Sequence, residues 1–589
     1  MFVKSGDVRP LGLSKRGKNI NVAFVSDKED CGLIIYDYKT KSEIQRIPFP
    51  LECKVGNVYA VEIEGIGSKK FCYEFYENQE TVKDSYAKSY IGNEIYGERN
   101  KIFGVYPVPV FEWEGDVKPK VNYHESLVYL LHVRGFTKHA SSKVKAKGTF
   151  KGILEKIEHL KALHVTTLEL QPAYEFDETN GNYWGYSIGN YYTPKNSYAY
   201  SKDGVKEFKE LIKSLHKEGI EVVMQFYFPQ EIPEWDVLDI LRFWISEYHV
   251  DGFHIKAGHL SVEKMKEDPS LADAKIWFTH FEEKPILFYE KVREKEKKLA
   301  IYNKDYCYSM RGFLKGDEGL VENCARWMRL SFSHAGQINF LTNYDMFTLA
   351  DLVSYERKHN EANGENNQDG SDYNCSWNCG VEGPTKKKQI LALRKQQMKN
   401  AMAFLMLSQG TPLIMMGDEF GNSQDGNNNP YCQDNETAWL NWSNLEKNKE
   451  FFTFVKDLIA LRMNHPILHM EKPLRLMDYI SCGYPDLSYH GEEPWKPCFE
   501  YYSRQLGVML CGKYAMKNRR VEDDFFYIAF NMHWEEHSFG LPDLPKDLEW
   551  TFTLSTGADI ELSKEKNSVF AAIPARTTAI FTSKKRETK

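Results

Sequence analysis

No run in the sequence approaches the roughly 18 consecutive apolar residues that a membrane span requires. The opening residues, Met1-Phe2-Val3-Lys4-Ser5-Gly6-Asp7, contain no apolar signal core. These absences argue against a membrane partner and set the expectation of a cytoplasmic protein. Basic stretches interleaved with aromatics are also missing, and the formal net charge is −7, so no nucleic-acid partner is expected. The 11 cysteines are scattered. Their one close pair, Cys375 and Cys379, sits in an Asn/Gly-rich loop without two further ligands nearby, which argues against structural zinc. No metal and no cofactor is expected. Internal repeats, low-complexity tracts and long tethers are absent too.

What is present is enough apolar sequence, 42% of 589 residues, to bury more than one core. Residues 1–98 alternate in the manner of strands at Asn19 to Val25, Gly32 to Tyr38, Glu43 to Ile47, Val58 to Ile63 and Lys70 to Tyr76, and predict a small β-sandwich. A Pro/Val-rich stretch within residues 99–119 reads as a linker. From about 120 to 470 strands alternate with amphipathic helices. The strands are expected at Leu127 to Val133, Val165 to Leu170, Ile220 to Tyr227, Val250 to Lys256, Lys275 to Thr279, Ile338 to Asn343 and Pro412 to Met416. That alternation predicts an α/β fold, a (β/α)8 TIM barrel, whose ligand face lies at the C-terminal strand ends. Residues 471–589 return to strands and predict an antiparallel β-domain.

Long segments carry a family resemblance. Ile338 to Asp345 with its continuation FTLADLVSYERKHNEANGENNQDGSDYNCSWNCGVEGPT, and SQGTPLIMMGDEFGNSQDGNNNPYCQDN from Ser408 to Asn435, resemble the segments around strands seven and eight of bacterial glycogen debranching enzymes and isoamylases, in glycoside hydrolase family 13 of the α-amylase superfamily. VYLLHVRGFT (Val128 to Thr137) is similar to the first strand of that group, NYWGYSIGNYY (Asn182 to Tyr192) to its sugar-stacking loop, and KDSYAKSYIG (Lys83 to Gly92) to the end of its carbohydrate-binding-module-like sandwich. The resemblance implies an α-glucan partner, namely glycogen, starch or maltooligosaccharide, and cleavage of α-1,6 branches with retention. Retention needs a nucleophilic carboxylate and a second carboxyl group about 5 Å away.

At those positions the sequence departs from the family. The Gly-Phe-Arg-Phe-Asp run that carries the nucleophile corresponds here to Gly252-Phe253-His254-Ile255-Lys256, so an ammonium stands at the nucleophile position. Thr279 falls at the general-acid position. The strand-three run Met-Asp-Val-Val-Tyr-Asn-His becomes Met224-Gln225-Phe226-Tyr227-Phe228-Pro229-Gln230, and His-Asp on strand seven becomes Tyr344-Asp345. Asp345 is the retained member of the catalytic set, and Tyr186, Trp184, Tyr183, His254, Gln230 and Tyr344 fall at sugar-contacting positions. A loop that overhangs the site in the family is shortened to a turn and one helix between Phe228 and Val250.

Lys256 has two readings: a reactive amine in a dry pocket, or the partner of Asp345 in an ion pair across the mouth, which the sequence reading favours. Glu282, Asp418 and Glu419 are the candidates for relocated catalysis. Three functions stay open: an α-1,6-glucan hydrolase with recruited carboxylates; a pseudoenzyme that binds α-glucan or serves as a scaffold, which is the preferred expectation; and a protein-interaction partner of an active paralogue, docking through Phe226, Tyr227 and Phe228.

Overall fold

A computed structural model of the chain describes residues 2–66, 69–257, 260–279, 298–332, 335–565 and 568–586. Eight parallel strands close into a barrel: Val128–Leu131, Thr167–Leu170, Glu221–Tyr227, Gly252–Lys256, Lys275–Phe278, Leu299–Tyr302, Gly336–Asn339 and Thr411–Met415, numbered here barrel strands one to eight. Strand one pairs with strand two and, through Val128 and Leu413, with strand eight, which leaves no open edge. Strands one and eight are buried along their whole length, because helices cover the outside while side chains fill the inside.

The helices form for local reasons that can be read residue by residue. In Gly204–Lys217 the Asp203 carboxylate accepts from the Lys206 backbone N–H and caps the first turn. Val205, Phe208, Leu211, Ile212 and Leu215 then recur at helical spacing and are buried on the barrel side. The helix Glu234–Tyr248 between strands three and four buries Val237, Ile240, Leu241 and Trp244 in the same way.

Ahead of the barrel stand two antiparallel sheets. One orders Phe2–Ser5, Val58–Glu64, Asn19–Val25 and Gly12–Arg16; the other orders Tyr90–Ile91, Phe103–Tyr106, Phe71–Glu77, Cys31–Asp37 and Glu43–Pro48. Beyond the barrel, Leu487–His490, Gln505–Leu510, Phe526–Asn531, Thr577–Lys585 and Leu548–Ser555 make the main antiparallel sheet of the C-terminal region. The first module rests on the helix after strand three. Arg9 pairs with Asp239 and lays its guanidinium 4.3 Å over the Trp235 ring.

Three expectations need correction. The sixth barrel strand, Leu299–Tyr302, is absent from the strands read off the sequence, since four apolar residues after a charged run carry no usable period. The expected linker contains the strand Phe103–Tyr106, which pairs with Phe71–Glu77 and so belongs to the second sheet. The apolar surface expected around Phe226, Tyr227 and Phe228 is smaller than expected: Phe226 and Phe228 are buried and stack on each other, and Tyr227 alone of the three stays half-buried.

Two enclosed imidazoles give the fold a pH dependence. His132 ends strand one, accepts from Gly135 N–H and donates to the Tyr183 carbonyl, while His490 is bracketed by Trp495 N–H and Ser488. Burial lowers the pKa of each to about 3. Their folded pKa lies below the unfolded value of 6.5, so the stability is present above pH 6.5 and is lost as pH falls toward 3. Each costs about 1.4 kcal/mol per pH unit in that window. In urea unfolding between pH 6.5 and 4, a His132→Gln/His490→Gln variant should therefore lose stability less steeply than the parent; equal slopes would contradict this assignment.

Candidate functional site

Barrel strands two, three, four and six bring inward side chains together around one carboxylate. Glu169, on strand two, is completely buried. Its Oε1 lies 2.7 Å from Gln225 Nε2 of strand three and 2.7 Å from His254 Nδ1 of strand four, and Oε2 accepts from the Tyr302 hydroxyl of strand six. A carboxylate in the barrel interior would be costly alone; three converging donors satisfy it. Burial, with the Glu169 charge beside it, holds the Tyr302 phenol well above its ordinary pKa, so that group remains a donor. His254 continues the chain outward, its Nε2 3.1 Å from Thr279 Oγ1 at the end of strand five.

Above this floor lies an aromatic group. Tyr186 donates its hydroxyl to Gln225 Oε1, which aims its ring across the mouth. Tyr344 stacks on it with ring centroids 5.1 Å apart and planes at 27°, and Trp184 meets Tyr344 edge-on at 4.9 Å. The Lys256 ammonium lies 4.4 Å from the Tyr186 centroid and 4.3 Å from that of Tyr344. Burial pushes the Lys256 pKa below its ordinary value, opposed by the charges of Asp345 and Glu169. The two ring faces supply the compensation that an ion pair would otherwise give, about 0.5–2 kcal/mol each.

Beside Lys256, over strands three to five, opens a cavity of about 560 Å³ whose polar lining includes Gln230, Glu231, Lys256 and Thr279. Gln230 and Glu231 are exposed there.

Comparison with known proteins places this arrangement in a lineage. Residues 132–229 match the family described as Alpha amylase, catalytic domain. The Glycogen operon protein GlgX homolog of Mycobacterium tuberculosis is 32% identical over 571 residues, spanning 80% of this chain and 78% of its own. The chain belongs to the debranching-enzyme and isoamylase group of glycoside hydrolase family 13. Isoamylase 1, chloroplastic, of Oryza sativa subsp. japonica is 28% identical over 680 residues, covering 94% of this chain and 82% of its own. The apo pullulanase of Paenibacillus barengoltzii shares the fold, with a TM-score of 0.71 at 17% identity over 98% of this chain and 94% of that one.

Within that group, several positions read from the sequence fall elsewhere than expected. The ion pair between Lys256 and Asp345 is not made: among the described residues Lys256 has no carboxylate within 4 Å, and Asp345 is exposed rather than orphaned in the interior. Asp345 acts on Lys256 only as a nearby charge. His254 does not face the mouth; it is 1% exposed and engaged at both nitrogens. Tyr183 is enclosed against the His132 ring at 4.1 Å, so it packs the loop and offers no platform. Asp418 and Glu419, just past the end of strand eight, are buried and already engaged. Asp418 accepts from Thr342 and Leu349, with its pKa pushed up to about 7 by burial, and Glu419 accepts from Tyr129 and pairs with His159. Glu282 lies outside the described residues.

Glu169 and Tyr302 are the site residues that sequence reasoning missed. A signal for Glu169 existed: a single acid between Leu168 and Leu170 in a four-residue strand must be either a strand error or a buried, fully bonded carboxylate.

Proposed function

We propose that the chain is a cytoplasmic, non-hydrolytic member of the debranching and isoamylase group that binds α-glucan at the barrel face without cleaving it. One observation carries the reading. The face of Tyr186 on which a pyranose ring would stack is covered by Tyr344, and the position from which a nucleophile would attack holds the Lys256 ammonium against both rings. A cation there disfavours the oxocarbenium charge of glycoside cleavage and cannot form a glycosyl ester. Of the group's catalytic set, Asp345 alone keeps its carboxylate, and it stands at the rim. Trp184, half-buried beside the plug, remains as a stacking surface at the edge of the mouth.

The relatives named as GlgX homolog and isoamylase support an α-glucan as the ligand class. No described helix is long and apolar enough to cross a membrane. Retardation in a glycogen-containing native gel, run beside a reducing-end assay, tests the reading. Retardation without release of reducing ends is the expected result. Release of reducing ends, or migration unchanged by glycogen, would overturn it.

A further inference from the structure

The hydrogen bonds around Glu169 fix more than a barrel floor. An ionised carboxylate accepts only, so His254 places its proton on Nδ1 toward Glu169, and the lone pair of Nε2 then faces the Thr279 hydroxyl at 3.1 Å. Thr279 must donate to that nitrogen, which turns the lone pairs of its oxygen away from the imidazole. The Thr279 side chain is half-buried and lines the cavity of about 560 Å³ that it shares with Lys256. Hydroxyl, imidazole and carboxylate therefore stand in the order a nucleophile, its base and the group that orients the base require. Each comes from a different barrel strand, and the chain ends at the C-terminal face where barrel enzymes do their chemistry.

We propose that Thr279, His254 and Glu169 form a nucleophilic relay that hydrolyses small carboxylic esters admitted to this cavity. Thr279 Oγ1 attacks the ester carbonyl carbon while its proton passes to His254 Nε2. The resulting oxyanion develops in the cavity that Lys256 also lines, where the positive charge of that side chain favours it. The carbon–oxygen bond to the alcohol breaks, and His254 returns the proton to the leaving alkoxide, which departs as the alcohol. Water then attacks the acyl-threonine, giving its proton to His254. Thr279 leaves as the alkoxide and takes that proton back, so ester and water have become acid and alcohol. Glu169 keeps the imidazole oriented and balances its transient charge, and Gln225 and Tyr302 hold Glu169 in place. The relay uses no glycosidic chemistry and stands or falls apart from glucan binding.

The test is hydrolysis of p-nitrophenyl acetate by the full chain beside Thr279→Ala and Thr279→Ser, each checked for an unchanged urea midpoint. The expected result is saturable turnover that falls at least about a hundredfold in Thr279→Ala and is recovered by Thr279→Ser. Mass spectrometry of the acid-quenched parent should find an acetyl group on the Thr279 peptide. Turnover equal in parent and Thr279→Ala would assign the ester cleavage to surface amines or imidazoles and overturn the proposal. Absence of turnover above buffer would do the same, leaving Thr279 as a hydrogen-bond partner of a buried histidine.

Discussion

Replacing Glu169 by alanine is expected to cost about 3–5 kcal/mol of unfolding free energy, read from urea midpoints. The size follows from what is left behind. The Tyr302 hydroxyl, the Gln225 amide and His254 Nδ1–H all point at the vacated position. All three donor residues are buried, and each unmet donor costs about 1–3 kcal/mol. Domains of ordinary size have only about 5–15 kcal/mol to lose, so the barrel should become marginal. Glu169→Gln keeps the shape and an acceptor oxygen and should cost clearly less. A loss in Glu169→Ala no larger than about 0.5 kcal/mol, the range of a plain surface substitution, would mean that this carboxylate does not organise the barrel floor.

Tyr344→Ala is expected to raise affinity for a linear maltooligosaccharide such as maltohexaose by about tenfold, equivalent to about 1.4 kcal/mol. Tyr344 lies stacked on Tyr186, and its removal exposes the face that a sugar ring needs. Calorimetric titration reads the change directly. Adding Tyr186→Ala to Tyr344→Ala should abolish the gain, because the two substitutions act on one surface and are not additive. Unchanged affinity in Tyr344→Ala would show that the covered face of Tyr186 is not what limits binding. On the proposed reading, in which Lys256 stands at the place of the nucleophile, neither variant should gain glycoside hydrolysis.

The sequence made the barrel legible because its strands and helices alternate with different hydrophobic periods, and the helices carry their own caps, as Asp203 does. It was silent on Leu299–Tyr302, which is too short to show a period. At the site, the departures at Lys256, His254, Gln225 and Tyr344 were all visible as residue types, but what they do to one another was not. Gln225 and His254, two departures on neighbouring strands, share Glu169 as their acceptor. Tyr344 and Lys256 close on the same tyrosine. The ion pair expected for Lys256 failed for a physical reason that charge counting misses. Two aromatic faces can receive a cation, and Asp345 sits at the exposed rim where water already solvates it.

The central proposal, that this member of a glycoside hydrolase family does not hydrolyse glycosidic bonds, is tested most directly by reducing-end release. Amylopectin and a small branched α-limit dextrin are incubated at high protein concentration with the parent chain and with Asp345→Ala purified identically. The account predicts that the parent releases no more reducing ends than the variant from either substrate. Release by the parent that disappears in Asp345→Ala would contradict it, and would mean that carboxylates elsewhere in the chain, not residues 256 and 279, complete a working glycosidase with Asp345.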